Sequence, residues 1–277
     1  RHTRSGRVTG VQTCALHSPD LIAFDFDGVI CDGLIEYFQT AWQAHSQLFG
    51  SKHAKPPVGL ADRFYPLRPV IETGWEMPVL IEVLVKEAES SDIDRQIIEK
   101  WPDMALPYLA AAGLTKAESV QALDGVRDDL IKTDLSSWLA LHRFYPGLIS
   151  RVSEVLSSDL PVYIVSTKEG RFIKALLGQS GVDFPAENII GKEVKRPKYE
   201  TLRLLKEKHS APNIWFIEDR LPALQAVAAQ EDLAEVQLFL ADWGYNLERD
   251  RTQARQDPRI NLLSLEKVVQ KFDQWTC

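Results

Sequence analysis

Two aspartates one residue apart, Asp25 and Asp27, close the apolar run LIAF and are followed at once by Gly28 in the segment LIAFDFDGVICD (21–32). A near-continuous apolar run reads as a parallel strand buried on both faces. The carboxyl end of such a strand is where open α/β sheets bind ligands. Two carboxylates placed there repel each other until a cation stands between them, and hard oxygen ligands of this kind suit Mg²⁺. Gly28 lets the backbone turn sharply away from the pair. Turns after strands are also rich in Asp and Gly for purely local reasons, so the pair gains meaning only beside further elements of the same kind.

Three later segments have matching character. In PVYIVSTKEG (161–170), the run Val162–Val165 ends at Ser166 and Thr167. Hydroxyls there can cap the helix that EGRFIKALL predicts and can also face a ligand at the strand tip. In KRPKYETLRLLKEK (195–208), Leu202, Leu204 and Leu205 follow a helical spacing, Pro197 marks the helix start and Lys198 falls in its first turn. The helix dipole disfavours a cation at that end, so an anionic group should stand opposite. Lys195 is the rival for that place, set apart by Arg196 before Pro197. In NIWFIEDRLPAL (213–224), the run Ile214–Ile217 ends in adjacent acids, Glu218 and Asp219.

Four such elements in this order resemble the signatures of the haloacid dehalogenase-like (HAD) superfamily, most of whose members are Mg²⁺-dependent phosphatases. The resemblance covers roughly residues 19–33 and 144–270. It implies that Asp25 attacks phosphorus and that Asp27 is the general acid/base. It assigns phosphate binding to Gly28, Ser166, Thr167 and Lys198, with Ser166 and Lys198 also taking part in catalysis. The implied metal set is Asp25, the backbone carbonyl of Asp27, Asp219 directly, and Glu218 directly or through water. The family's GDxxxD form is absent, because positions 222–224 are Pro, Ala and Leu. The adjacent Glu218–Asp219 pair is also found in β-phosphoglucomutase-like members, which keeps a phosphotransferase reading beside the phosphatase. Dehalogenases and phosphonatases usually lack an acid at the place of Asp27. A third reading, a catalytically inert HAD-fold binding module, would be marked by a lost motif residue, and none is lost.

These residues must be positioned by a sheet. Runs at 21–26, 161–166, 214–218 and 236–241 alternate with helical segments, which predicts a doubly wound, mostly parallel, Rossmann-like α/β core. About 130 residues separate the first two motifs, far more than one crossover helix requires. Segments 34–49, 69–88, 92–101 and 116–133 carry apolar residues at three- and four-residue spacing, and Pro78 should kink or divide the second. By the resemblance, 34–143 is a helical C1 cap inserted into a core of 19–33 and 144–277, with RFYPG (143–147) as the return linker. Within the cap, RPVIETGWE (68–76) gathers Arg68, Glu72, Gly74, Trp75 and Glu76. Arg68 could meet a substrate carboxylate or second phosphate bidentately, with Glu72 beside it. The duller alternative is a charged helix face around a buried Trp75. Gly74 inside a helical pattern costs about 1 kcal/mol against Ala, which suggests a packing or site role. ADWGYN (241–246), after the apolar LFL run, should end the strand at 236–241, with Asp242 supporting the loop. The C1-capped branch most similar to this chain includes phosphoglycolate phosphatases, so a small phosphorylated acid or sugar is the first expectation. A closing cap disfavours polymers.

Composition narrows the partners. The chain has 277 residues, 45% hydrophobic, with net charge −7. Nothing marks a nucleic-acid or anionic-membrane surface, and no apolar run approaches the roughly 20 residues that span a bilayer. Cys14, Cys31 and Cys277 offer neither a disulfide frame nor zinc spacing, which fits a cytoplasmic location. The histidines form no cluster, and the sequence does not specify an oligomeric state. Residues 1–18, RHTRSGRVTGVQTCALHS, are basic and aperiodic. VTGVQTCAL resembles the translation of a sequencing adapter, so this segment is expected to be disordered and foreign to the fold.

Overall fold

A computed structural model of the chain describes residues 18–50, 55–88, 90 and 92–275. The basic segment up to His17, and Cys14 and Cys277, lie outside the described residues. The elements run β1 (Leu21–Phe24), β2 (Cys31–Asp32), α1 (Leu34–Phe49), α2 (Leu60–Leu67), α3 (Glu76–Lys86), α4 (Ile93–Ala111) and α5 (Lys116–Leu139). They continue through β3 (Arg143–Phe144), α6 (Leu148–Leu156), β4 (Val162–Val165), α7 (Gly170–Gln179), β5 (Ile189–Ile190), α8 (Lys198–His209) and β6 (Ile214–Glu218). The last are α9 (Leu221–Ala228), β7 (Gln237–Ala241), α10 (Glu248–Gln256), β8 (Ile260–Leu263) and α11 (Leu265–Val268).

Six strands form one sheet in the order β5-β4-β1-β6-β7-β8, every pair parallel. The chain builds outward from β1 to β4 and β5, then returns to β6 on the other side, which creates the reversal of strand order where doubly wound sheets bind ligands. Phe24 pairs with Ile164 and with Ile217. That register brings Asp25, Ser166 and Glu218 to the same carboxyl edge. Alternate residues supply the two faces: Ile22, Phe24, Ile164 and Ile217 pack under α6 and α7, while Leu21, Ala23, Val165 and Phe216 pack under α8 and α9. The four strands read from sequence are all present. The short edge strands β5 and β8 were not read, because they span only two and four residues.

Helices α1 to α4 share a hydrophobic cluster centred on Phe38, Phe64, Leu80 and Trp101, and α5 packs Leu123 and Val126 against Ala44 of α1. The chain enters and leaves this layer through the antiparallel pair β2 and β3, where Cys31 faces Phe144 and Asp32 faces Arg143. No described helix is long and apolar enough to cross a membrane.

Three helix expectations need correction. The segment 69–88 divides at Ile71–Trp75 and not at Pro78, which sits in the first turn of α3, where its missing N–H has no intrahelical role. Glu76 makes that break: its carboxylate accepts the N–H groups of Glu72 (3.3 Å) and Thr73 (3.0 Å) and the indole of Trp101 (2.8 Å). Gly74 is therefore outside any helix, and a Cβ there would meet Leu123 at 2.9 Å. The segment 92–101 runs on to Ala111 through Pro102 and Pro107, because Ile93, Ile97, Trp101, Ala105 and Leu109 bury a continuous stripe. The segment 116–133 extends to Leu139 with a break at Asp134 (φ −154, ψ 84).

Candidate functional site

Asp25 is the first residue past β1, held by its N–H to Ile217 O at 2.8 Å. The Lys198 ammonium lies 2.9 Å from Asp25 Oδ2 and 2.5 Å from Glu218 Oε2. Lys198 opens α8 directly after Pro197, and the anionic group expected opposite it is this pair of carboxylates. Lys195 is exposed, in the left-handed conformation (φ 52), and is not brought to the acids. The other oxygen of Glu218 accepts the N–H groups of Asp219 (3.1 Å) and Arg220 (2.9 Å). Asp219 Oδ2 accepts the N–H of Tyr245 at 2.7 Å. Ligand atoms of Asp25, Glu218 and Asp219, all three buried, lie within 4.8 Å of one another.

Three buried carboxylates face one ammonium, and the imbalance appears as raised proton affinity. Burial pushes Asp25 up to about 7, with Glu218 adding to the rise and Lys198 opposing it. Burial, then Glu218 and Asp25, push Asp219 well above the usual carboxylate range. For Lys198, burial works against the charge, but Asp25 and Glu218 outweigh it and raise its pKa. An uncompensated set of hard oxygen donors fits a divalent cation such as Mg²⁺.

The backbone around the acids is packed to van der Waals limits. Gly28 has φ +80, and a Cβ there would stand 2.1 Å from Asp219 Oδ2. A Cβ on Gly244 would stand 2.5 Å from Gly28 O. Asn246 donates to Asp219 O (3.0 Å) and Ala241 O (2.8 Å), which ties the loop after β7 to the acids. Ser166 is buried at the tip of β4, and its hydroxyl helps lower the pKa of Asp25. Thr167 is exposed and lines the adjoining cavity.

That cavity holds about 300 Å³ and lies between the strand ends and the helical layer. Asp27, Thr167 and Lys168 contribute from below, and Tyr37, Arg68, Glu72, Trp75 and Arg127 from above. Arg68 is sandwiched between the rings of Tyr37 and Tyr245, 4.8 Å from each centroid. Its Nη1 donates to Ile71 O at 3.1 Å, its Nε is buried with no partner, and among the described residues no carboxylate pairs with it. Glu72 is exposed on the same wall, and only its backbone N–H is engaged by Glu76.

Residues in and behind the cavity wall were also missed in the sequence. Arg127 meets buried Glu36 with two nitrogens, at 2.8 and 3.2 Å. Burial opposes the charge of Glu36, but Arg127 outweighs it and holds the carboxyl down at about 2. A pair 91 residues apart leaves no local signal. Tyr245 gives its N–H to Asp219, its hydroxyl to Asp32 (2.8 Å) and its ring face to Arg68. ADWGYN marked its loop, but nothing in that segment marked the ring. Cys31 is buried, and burial, then Asp27, push its thiol up, which suits an apolar filler.

No model of a protein family and no curated protein matches the chain. Solved structures do. A haloacid dehalogenase-like family hydrolase from Streptococcus pneumoniae superposes with TM-score 0.52 at 16% identity, over 88% of this chain and 94% of that one. A predicted phosphoglycolate phosphatase from Haemophilus somnus gives 0.54 at 16% identity, over 84% and 89%. A predicted phosphatase from Clostridium acetobutylicum gives 0.55 at 12% identity, over 91% and 96%. At such identities the likeness speaks for the fold, and the chain has the fold of the HAD-like hydrolases.

Proposed function

We propose that the protein is a Mg²⁺-dependent phosphomonoesterase acting on a small phosphorylated metabolite. One observation carries this reading: Asp25, Ser166, Lys198, Glu218 and Asp219, from four separate segments, converge at one carboxyl edge of the sheet. In the proposed reaction a carboxylate oxygen of Asp25 attacks phosphorus as the ester bond breaks. Asp27 gives its proton to the departing oxygen. It then takes a proton from the water that displaces Asp25 and releases phosphate. Ser166 and Lys198 hold the phosphoryl oxygens. Asp25, Asp219 and the Asp27 carbonyl would hold Mg²⁺, and Glu218, whose two oxygens are engaged by Lys198 and by backbone N–H groups, would act through water. When bound, the ion neutralises charge on the transferring group.

Helices within 34–143 are read as a C1 cap that excludes bulk water and bounds substrate size. Arg68, a guanidinium on the cavity wall with no acidic partner among the described residues, favours a substrate with a second anionic group, such as a phosphorylated acid. The adjacency of Glu218 and Asp219 supports a phosphomutase as the second reading. A panel of phosphorylated metabolites assayed for phosphate release with Mg²⁺ and with EDTA tests the proposal. Release that survives EDTA unchanged, or no release from any member, overturns it.

A further inference from the structure

Lys168 lies on the loop between β4 and α7, two residues after Ser166. Its side chain is 9% exposed, while that of Asp27 is 19% exposed. The ammonium stands 3.2 and 3.4 Å from the two oxygens of Asp27, 3.3 Å from His142 Nε2, and 5.6 Å from the centroid of the Trp138 ring. His142 Nδ1 faces Trp138 O at 3.3 Å, which places the imidazole proton on Nδ1 and leaves Nε2 to accept from Lys168. The loop beneath is pinned on both sides: Lys168 N–H donates to Ser166 Oγ (3.3 Å) and Lys168 O accepts from Lys192 N–H (2.9 Å). Among the described residues, Lys168 is the side chain that hydrogen-bonds Asp27. A half-buried carboxylate with this one side-chain anchor can rotate away from the cavity floor unless that anchor holds it.

We infer that Lys168 is a positioning residue that holds the Asp27 carboxyl in the orientation needed to pass a proton to the leaving oxygen. This rests on the phosphomonoesterase reading and on Asp27 as its acid/base. His142, which follows α5 and precedes β3, steadies the ammonium from the opposite side. Lys168 thereby ties Asp27 to the segment on which the chain returns from the helical layer.

The test separates proton delivery from phosphoryl binding. Rapid-quench first turnovers with Mg²⁺ compare an alkyl phosphate, whose alcohol must be protonated to leave, with p-nitrophenyl phosphate, whose phenolate leaves unaided. General acid catalysis contributes about 10²–10⁴-fold, so Lys168→Met should slow alcohol release by at least about thirtyfold while phenolate release changes less than about threefold. In an Asp27→Asn background, Lys168→Met should have no further effect on alcohol release. Equal losses on both esters would mean that Lys168 acts on the phosphoryl group or only on folding, and would overturn the inference, as would no loss on either or an additive double variant. Should Lys168→Met fail to fold, Lys168→Gln takes its place. A parent that cleaves neither ester overturns the phosphomonoesterase reading alone. Crystal structures of the parent and the Lys168 variant then decide: a displaced Asp27 side chain keeps the positioning role, and an unmoved one removes it.

Discussion

The floor of the cavity and its wall are built in opposite ways. On the floor, the acids sit at or directly past the tips of β1 and β6, and each carboxylate already has a partner: Lys198, a backbone N–H, or both. On the wall, Arg68 stands on aromatic rings with no acid paired to it among the described residues, and Glu72 is exposed. A floor whose acids are held in place commits to one chemistry. An unsaturated wall leaves its polar groups for whatever the cavity admits, and that is where molecules sharing this floor can differ in substrate.

The largest expected effect lies on the floor. Asp25→Asn should lower turnover on the best ester by at least about a thousandfold, since the covalent route is lost. Activity within tenfold of the parent would show that Asp25 is not the attacking group. Gly28→Ala should come next. Its Cβ would collide with Asp219 at 2.1 Å in a backbone conformation suited to glycine. We expect about a hundredfold loss and a lower Tm, and normal turnover at an unchanged Tm would contradict the packing described. The third effect is linkage. Burial carries Asp25 from an ordinary value of 3.8 up to about 7, so the folded state binds a proton that the unfolded chain releases. Without a divalent ion, stability should therefore fall as pH rises from 5 to 8, through the folded-state pKa. Mg²⁺ competes with that proton, so its stabilisation should be greater at pH 8 than at pH 5. Equal Tm shifts at the two pH values would count against the acids as its site.

Effects on the wall should be smaller and selective. Arg68→Ala should raise KM for phosphoglycolate by about 10–100-fold, the range of a charge-assisted hydrogen bond, and leave a neutral aryl phosphate nearly unchanged. Equal changes on both would remove Arg68 from substrate recognition. Glu72→Gln should shift kcat/KM by less than about threefold, because an exposed carboxylate is well screened. A larger change would mean that Glu72 touches substrate.

The same contrast explains what the sequence disclosed. Asp25, Ser166 and Glu218–Asp219 follow apolar runs immediately, so strand and functional group announce each other, and Lys198 is marked by the proline before it. The wall lacks such coupling. Gly74 looked helical because Glu76 breaks the pattern through side-chain contacts that periodicity does not register. Arg127 with Glu36, and Tyr245 with Asp32, are pairs formed by tertiary folding alone. Lys168 was within reach, two residues past Ser166, but its partners Asp27 and His142 are 141 and 26 residues away.

The claim that the floor performs phosphoryl transfer through Asp25 is tested most directly by quenching the enzyme in acid during turnover with Mg²⁺ and mapping its peptides by mass spectrometry. The account predicts a single added phosphoryl group on the peptide that carries Asp25, absent with EDTA and absent in Asp25→Asn. Steady Mg²⁺-dependent phosphate release with that peptide unmodified throughout, in conditions that preserve acyl phosphates, would contradict it.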